Sequence, residues 1–326
     1  MRIGIIRKRV VSGHMSNFIV CLNAVLPIFL LMAVGYAAKC FGMLRREDIN
    51  KINKVIFHVF LPVMMFYNIY QSDLDSAVRP RLILYAVGGV LCALALSVLL
   101  ARFFVRERDR RGVVIQGIYR SNFVIIGAPI VSSLVEDADL GPVAVLLAIV
   151  VPLYNVIAVI LLEYYSGEKT PLKKLLLDIL KNPLVLGSIV GFLALGLHLR
   201  LPVPLETVAR QMTQVVSPML LFLLGAFFCF DGLRRYRKEL LLVCTGRLIV
   251  VPGIFLSLAA LLGFRGLELA ALIGVFASAT ATTSFAMTQQ IGGDAELAGD
   301  IVVSTSALCS FTMFLWCLLF KTLGMF

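Results

Sequence analysis

Two short polar runs sit deep inside otherwise apolar sequence. The first is Arg120, Ser121 and Asn122, followed by Gly127, Ala128 and Pro129; the second is Ser278, Ala279, Thr280, Ala281, Thr282, Thr283 and Ser284. Proline lacks an N–H and clashes with the preceding turn, so the first run predicts a helix that breaks at Gly127–Pro129. The ends of a broken helix offer amide donors and a positive dipole end to an anion, and free carbonyls to a cation. The hydroxyls of the second run can bond back to the i−4 carbonyl and bend a helix. Each run therefore has two readings: a ligand site, or a kink whose polar groups bond to a neighbouring helix.

The elements that carry these runs follow from composition. Hydrophobic residues make up 60% of the 326 positions, charged residues 15%, and the mean hydropathy is +0.95. Ordinary globular chains stand near 45 to 50% apolar. One bilayer crossing needs about 20 apolar residues, so the chain has material for roughly ten. An all-α polytopic membrane protein is the class that fits. The net charge of +11 is scattered between apolar runs rather than gathered on one segment, which speaks against disorder and against nucleic acid as a partner. The seven cysteines lie singly and only three histidines exist, so neither a disulfide framework nor a metal site is indicated. No Ser–His or Asp–Asp pair at helical spacing points to an intramembrane enzyme.

Apolar runs of spanning length lie at about 17–40, 50–70, 81–104, 112–135, 141–164, 183–199, 208–230, 238–262, 268–290 and 297–320. Short connections leave no room for an inserted soluble domain. The predicted organisation is an N-terminal tail (1–16), a first five-span unit (17–164), a Lys-rich loop (165–182) and a second five-span unit (183–320). Lys and Arg in the loops after the odd-numbered spans number 17, against 5 after the even-numbered ones. The positive-inside rule then places both termini outside the cytoplasm, with the chain in the inner (cytoplasmic) membrane. The basic tail, Arg2, Arg7, Lys8 and Arg9, runs against the count without reversing it, and it does not have the form of a signal peptide.

An internal repeat decides the architecture. At a shift of 156, Pro27 meets Pro183, Gly35 meets Gly191, Pro62 meets Pro218, Phe66 meets Phe222, and Arg79 and Arg81 meet Arg235 and Arg237. Each repeat holds five spans. An odd number sets the halves in opposite orientations, the plan of inverted-repeat carriers with a site at mid-membrane where matching broken helices meet. The same shift carries Asn122 onto Ser278 and Gly127 onto Thr283, so both halves are polar at one depth.

Charged positions narrow the chemistry. Arg120 and Arg247 each lie about 12 Å along their helices from the predicted cytoplasmic end; embedded charges are functional candidates, and two cations favour an anionic ligand unless they snorkel to the interface. No carboxylate is expected near mid-membrane, Glu163 being at a helix end. His58 is a candidate coupling residue, though a lone histidine in an apolar helix is more often a packing residue. Ser304 and Thr305 could line the same cavity or join helices.

In order and spacing these residues resemble the auxin efflux carrier family, within the bile acid, arsenite and auxin carrier superfamily. The resemblance is carried by Leu26, Pro27, Ile28, Phe29 to Gly35, Tyr36; by Leu61, Pro62; by Arg120, Ser121, Asn122 with Gly127, Ala128, Pro129; by Pro152, Leu153, Tyr154, Asn155; by Asn182, Pro183; and by Gly292, Gly293, Asp294 before Ser304, Thr305. It implies ten helices in two inverted halves, a scaffold from helices 1, 2, 6 and 7, and a transport unit from helices 3–5 and 8–10 in which broken helices 4 and 9 cross. It further implies alternating-access transport of small organic anions, mono- or dicarboxylates such as malate, malonate or auxin. By the same resemblance Asn122 and Pro129 fall on the substrate-side asparagine and the crossover proline, while the second crossover proline, expected near Ala279, is absent. A sodium-coupled bile-acid-like or arsenite-type carrier and a uniport-like channel are the neighbouring readings. No cofactor is called for beyond Na+ or H+ as coupling ion. The expected partners are the anion, membrane lipid and, in a homodimer, a second copy of the chain.

Overall fold

Residues 26–71, 79–128, 130–131, 141–166, 181–228 and 230–325 are described by a computed structural model. The tail, most of the Lys-rich loop and Pro129 lie outside them. The described residues form helices α1 Leu26–Cys40, α2 Arg46–Tyr70, α3 Pro80–Phe104, α4 Arg108–Tyr119, α5 Gly141–Ser166, α6 Pro183–Gly196 and α7 Val203–Phe227, then α8 Arg237–Leu261, α9 Gly266–Ala277, α10 Thr283–Ile291 and α11 Ala295–Thr322. A wide turn, Phe123–Gly127, follows α4, and a short helix, Phe230–Arg235, follows α7. Among these residues the single β-type pairing is one antiparallel bridge, Ser121 with Thr280.

Local chemistry starts many of the helices. Pro80, Pro183 and Pro204 occupy first-turn positions, where the missing N–H costs nothing. The Asn182 side chain accepts from Leu184 N at 3.0 Å and the Asp294 side chain from Leu297 N at 3.0 Å, each supplying an acceptor to an otherwise orphaned donor. α2, α3, α8, α11 and residues 142–165 of α5 are long and apolar enough to cross a membrane, and α1, α6 and α9 are shorter apolar helices. Large apolar side chains such as Leu84, Phe103, Leu241 and Leu261 are turned outward, the surface of a protein solvated by lipid.

Backbones approach closely in two places. A Cβ added to Gly35 in α1 would lie 1.9 Å from the Phe222 carbonyl oxygen of α7, and one on Gly191 in α6 would lie 3.0 Å from the Phe66 carbonyl oxygen of α2. These are the same two positions 156 residues apart, paired crosswise. Gly225 and Gly187 make equally tight approaches, to Met32 O and Pro62 O. The interior divides into two apolar clusters. One is built around α4, α8, α9 and α11, the other around α2, α6 and α7 with Ala286 and Met287 of α10.

The helix breaks differ from expectation. Gly127 is inside the wide turn, and the first break falls earlier, where Arg120 is extended (φ −90°, ψ 124°) after Tyr119. Tertiary partners explain the shift: Ser121 pairs with Thr280, and Asn122 N donates to Ala279 O at 2.7 Å. The second break is sharp without a proline. α9 ends at Ala277, Ser278 is extended (φ −70°, ψ 160°), and α10 begins at Thr283.

Candidate functional site

A helix break buried in the protein interior must satisfy every backbone group it frees. Arg247, wholly buried in α8, does most of this. Its Nε donates to Ser278 O at 2.8 Å, Nη2 to Val275 O at 2.9 Å, and Nη1 to Ile118 O and Tyr119 O at 3.3 and 3.2 Å. One guanidinium thus closes the carbonyl ends of both α4 and α9, and its charge meets two negative dipole ends. Thr280 completes the seam: its Oγ1 donates to Gly117 O at 2.7 Å, and its N–H donates to Thr305 Oγ1 at 3.2 Å.

The amino ends point the other way. A cavity of about 50 Å³ opens beside them, lined by Arg120, Ser121 and Asn122, by Thr282 and Thr283 at the start of α10, by Tyr154 and Asn155 of α5, and by Met64, Met65 and Asn68 of α2. Arg120 is 2% exposed. Its Nη2 donates to Thr283 Oγ1 at 2.6 Å and to Asn155 Oδ1, and its Nη1 approaches Gln116 Oε1 at 3.4 Å and Met287 Sδ at 3.0 Å. No salt bridge neutralises it among the described residues. Asn122 is 4% exposed, and its side-chain N–H2 has no hydrogen-bond partner among them. The residues around the cavity therefore bring together a guanidinium, an amide group with no partner among the described residues and the positive end of α10, a combination suited to an oxyanion.

Asn155 is held in place by its own donors, to Val151 O at 2.9 Å and Met65 Sδ at 2.8 Å. Tyr154 OH accepts from Ser121 Oγ at 3.3 Å, and its carbonyl accepts from Tyr119 OH at 3.1 Å. Beneath them Gln116 Nε2 donates to Thr288 Oγ1 at 2.7 Å, tying α4 to α10. Polar residues on α2 and α7, Asn68 and Ser217, also face the cavity; an amide in so apolar a helix was the available signal for Asn68. A second cavity of about 200 Å³, bounded by Asn68, Gln71, Val124, Ala144, Leu147 and Val151, adjoins the first and shares three of its residues.

Other residues singled out in the sequence lie elsewhere. Gly127 packs against α9, where a Cβ would lie 2.7 Å from Gly274 O. Ser278 and Ser284 are buried at the seam with hydroxyls that lack a partner among the described residues. Thr305 donates to Ile301 O at 2.7 Å, and Ser304 is half-buried on α11. His58 is exposed, its Nδ1 2.9 Å from Lys54 O, in a shallow groove between α2 and α6. Away from the membrane-spanning segments, Arg110 pairs with Glu239 at 3.1 Å and Asp294 at 3.3 Å, and Tyr236 OH donates to Asp294 at 3.1 Å. Burial first, then the Asp294 contact, raises the Tyr236 phenol above its ordinary range.

Residues 20–317 match the family described as "Membrane transport protein". Similar proteins are an uncharacterized transporter of Methanocaldococcus jannaschii, 24% identical over 256 residues (76% of this chain, 82% of the relative), and one of Methanothermobacter thermautotrophicus, 22% identical over 306 residues (90% and 96%). A match that includes α1 to α10 and nearly all of α11 makes the protein a transporter and not an enzyme. The chain belongs to this family of membrane transport proteins, the auxin efflux carrier family that its motifs resemble.

Proposed function

We propose that the protein is a secondary transporter that moves small organic anions across the cytoplasmic membrane by alternating access. The observation that carries this reading is Arg120: a buried cation with no carboxylate partner among the described residues, facing a cavity beside the unused amide of Asn122. A carboxylate placed there takes a bidentate guanidinium contact and an amide bond. About 50 Å³ holds a few waters, room for a short mono- or dicarboxylate and not for a steroid.

The architecture proposed is ten spans in two inverted five-helix halves, with α1, α2, α6 and α7 as scaffold and the remaining helices as the moving unit. The crosswise contacts Gly35 with Phe222 and Gly191 with Phe66 are what a pseudo-twofold axis relating the halves requires. The seam between residues 120–122 and 278–282 is the proposed crossing. In this arrangement both termini face outward and the Lys-rich loop faces the cytoplasm, on the 17 against 5 count.

The test is a thermal-shift series on the purified protein with malonate, malate and an aromatic monocarboxylate, against neutral amides of the same shape. A ligand that binds only the folded state raises the melting temperature with concentration. Stabilisation by the acids and none by the amides is expected. Equal response to both would remove the anion from the proposal.

A further inference from the structure

Asp300 was not among the residues the sequence drew attention to, and it is the one carboxylate among the described residues that is buried with an unused oxygen. It lies about 8 Å along α11 from its first residue, is 3% exposed, and its Oδ2 has no hydrogen-bond partner among the described residues. Asp300 also lines a cavity of about 230 Å³ whose other walls are Phe227 and Phe228 at the end of α7, Gly232 and Arg235 of the short helix, and Glu296 and Gly299. Gly232 is what makes room for it: a Cβ there would lie 2.1 Å from Oδ2. Asp300 thus sits on the boundary between α11 and the end of α7, which are assigned above to the moving unit and the scaffold.

The cations nearby are committed elsewhere. Arg46 pairs with Glu296 at 2.7 Å, and Arg235 lies 3.9 Å from the same carboxylate. Arg110 serves Asp294 and Glu239, beside Tyr236. Lys39 Nζ donates to Phe228 O at 2.9 Å. The remaining acidic groups, Glu296 and Asp294 on the same helix, oppose a second negative charge. An unpaired buried carboxylate is costly to keep ionised, and only a proton or a cation relieves it. A cation requires several oxygen ligands; two phenylalanines and two glycines supply no such cage, and no group of three potential metal ligands is found among the described residues.

We propose that Asp300 is a proton-binding site that couples protonation to movement between α11 and the end of α7. With its proton on, the carboxyl packs against Gly232 and the phenylalanines; with the proton off, the charge draws water into the boundary and separates the two surfaces. This deepens the transport reading and rests on it for the coupled step, but proton binding itself can be measured without substrate.

The experiment is thermal unfolding of the purified protein across pH 5 to 8, without substrate. A carboxyl that keeps its proton when folded and releases it near the model value of about 3.9 when unfolded makes the folded state bind the extra proton, so stability falls as pH rises. Wild type should show that fall, Asp300→Asn should flatten it, and Glu268→Gln, which removes an acid paired with Arg79 at the start of α9, should keep it. An unchanged slope in Asp300→Asn, or a slope that follows sodium concentration instead of pH, overturns the proposal. Should Asp300→Asn fail to fold, Gly232→Ala presses a methyl onto the carboxyl and must alter the slope; an unaltered slope overturns the proposal too. In proteoliposomes, malonate accumulation driven by a pH gradient should be lost in Asp300→Asn, and its survival rejects the coupling. If wild type neither binds nor moves any acid, the organic-anion reading fails, while the unfolding slope still decides the proton site.

Discussion

Arg247 and Arg120 are the same side chain at nearly the same burial, a few residues from the same seam, and they do opposite work. Arg247 spends its donors on four backbone carbonyls at the closed ends of α4 and α9. Arg120 spends its donors on an amide, a hydroxyl and a thioether that line a cavity. Backbone carbonyls at a helix end have nowhere else to go, so the first set of bonds is fixed. Side-chain partners can turn aside when a better acceptor arrives, so the second set is exchangeable. What separates the two arginines is therefore the kind of acceptor, not depth or burial, and under the proposed function Arg120 is the one free to take a ligand.

The strongest way to break this comparison is at Arg247. Arg247→Gln orphans carbonyls from two helices, and charged hydrogen bonds are worth about 1.5 to 3 kcal/mol each. A loss of at least about 4 kcal/mol is expected, roughly 10 °C in melting temperature, or failure to accumulate in the membrane. Arg247→Lys should do little better, since a point charge cannot reproduce the fork. A folded, fully stable Arg247→Gln protein would show that the seam does not depend on it.

Arg120→Gln should fold, and its cost should appear in the ligand: the acid concentration for half-maximal stabilisation rises about 100-fold, a loss of about 2.7 kcal/mol. Comparable destabilisation of the ligand-free protein would place Arg120 with Arg247 instead. Asn122→Ala sharpens the contrast further. Its side-chain N–H2 has no partner among the described residues, so the ligand-free protein should be as stable as wild type or slightly more so, while acid binding weakens by about 1 kcal/mol, some fivefold. The smallest effect belongs to His58→Gln. An exposed ring beside the Lys54 carbonyl lies outside both sets, and transport should stay within about twofold of wild type at every pH.

The positions of the two polar runs, the cavity residues Asn122, Thr282 and Thr283, and the paired glycines at 35 and 191 could all be read from the chain, because depth in an apolar run and a fixed repeat shift are properties of sequence. The places where the helices actually end could not. Proline chemistry pointed to Gly127–Pro129, yet the backbone leaves the helix at Arg120, because its pairing partner at Thr280 is remote in sequence. Likewise the second break needs no proline, since Arg247 satisfies the carbonyls that a continuous helix would have used. Asp300 escaped notice for a related reason. Near a helix start it resembles an ordinary solvated acid, and only the folding of Gly232 against it reveals that its oxygen is enclosed.

The wiring of Arg247 also sets a condition on biosynthesis. In the proposed topology the carbonyls of Ile118 and Tyr119 enter the membrane with the first half of the chain, but their donor lies 129 and 128 positions later. At a synthesis rate of about 5 to 20 residues per second, that donor is made roughly 6 to 26 s afterwards. Through that interval the carboxyl end of α4 has to be kept wet or held by the insertion machinery, because lipid offers it nothing. A ribosome that stalls before residue 247 leaves behind an unfinished nascent chain with an open polar wound in the bilayer, and membrane quality control has a local feature by which to find it.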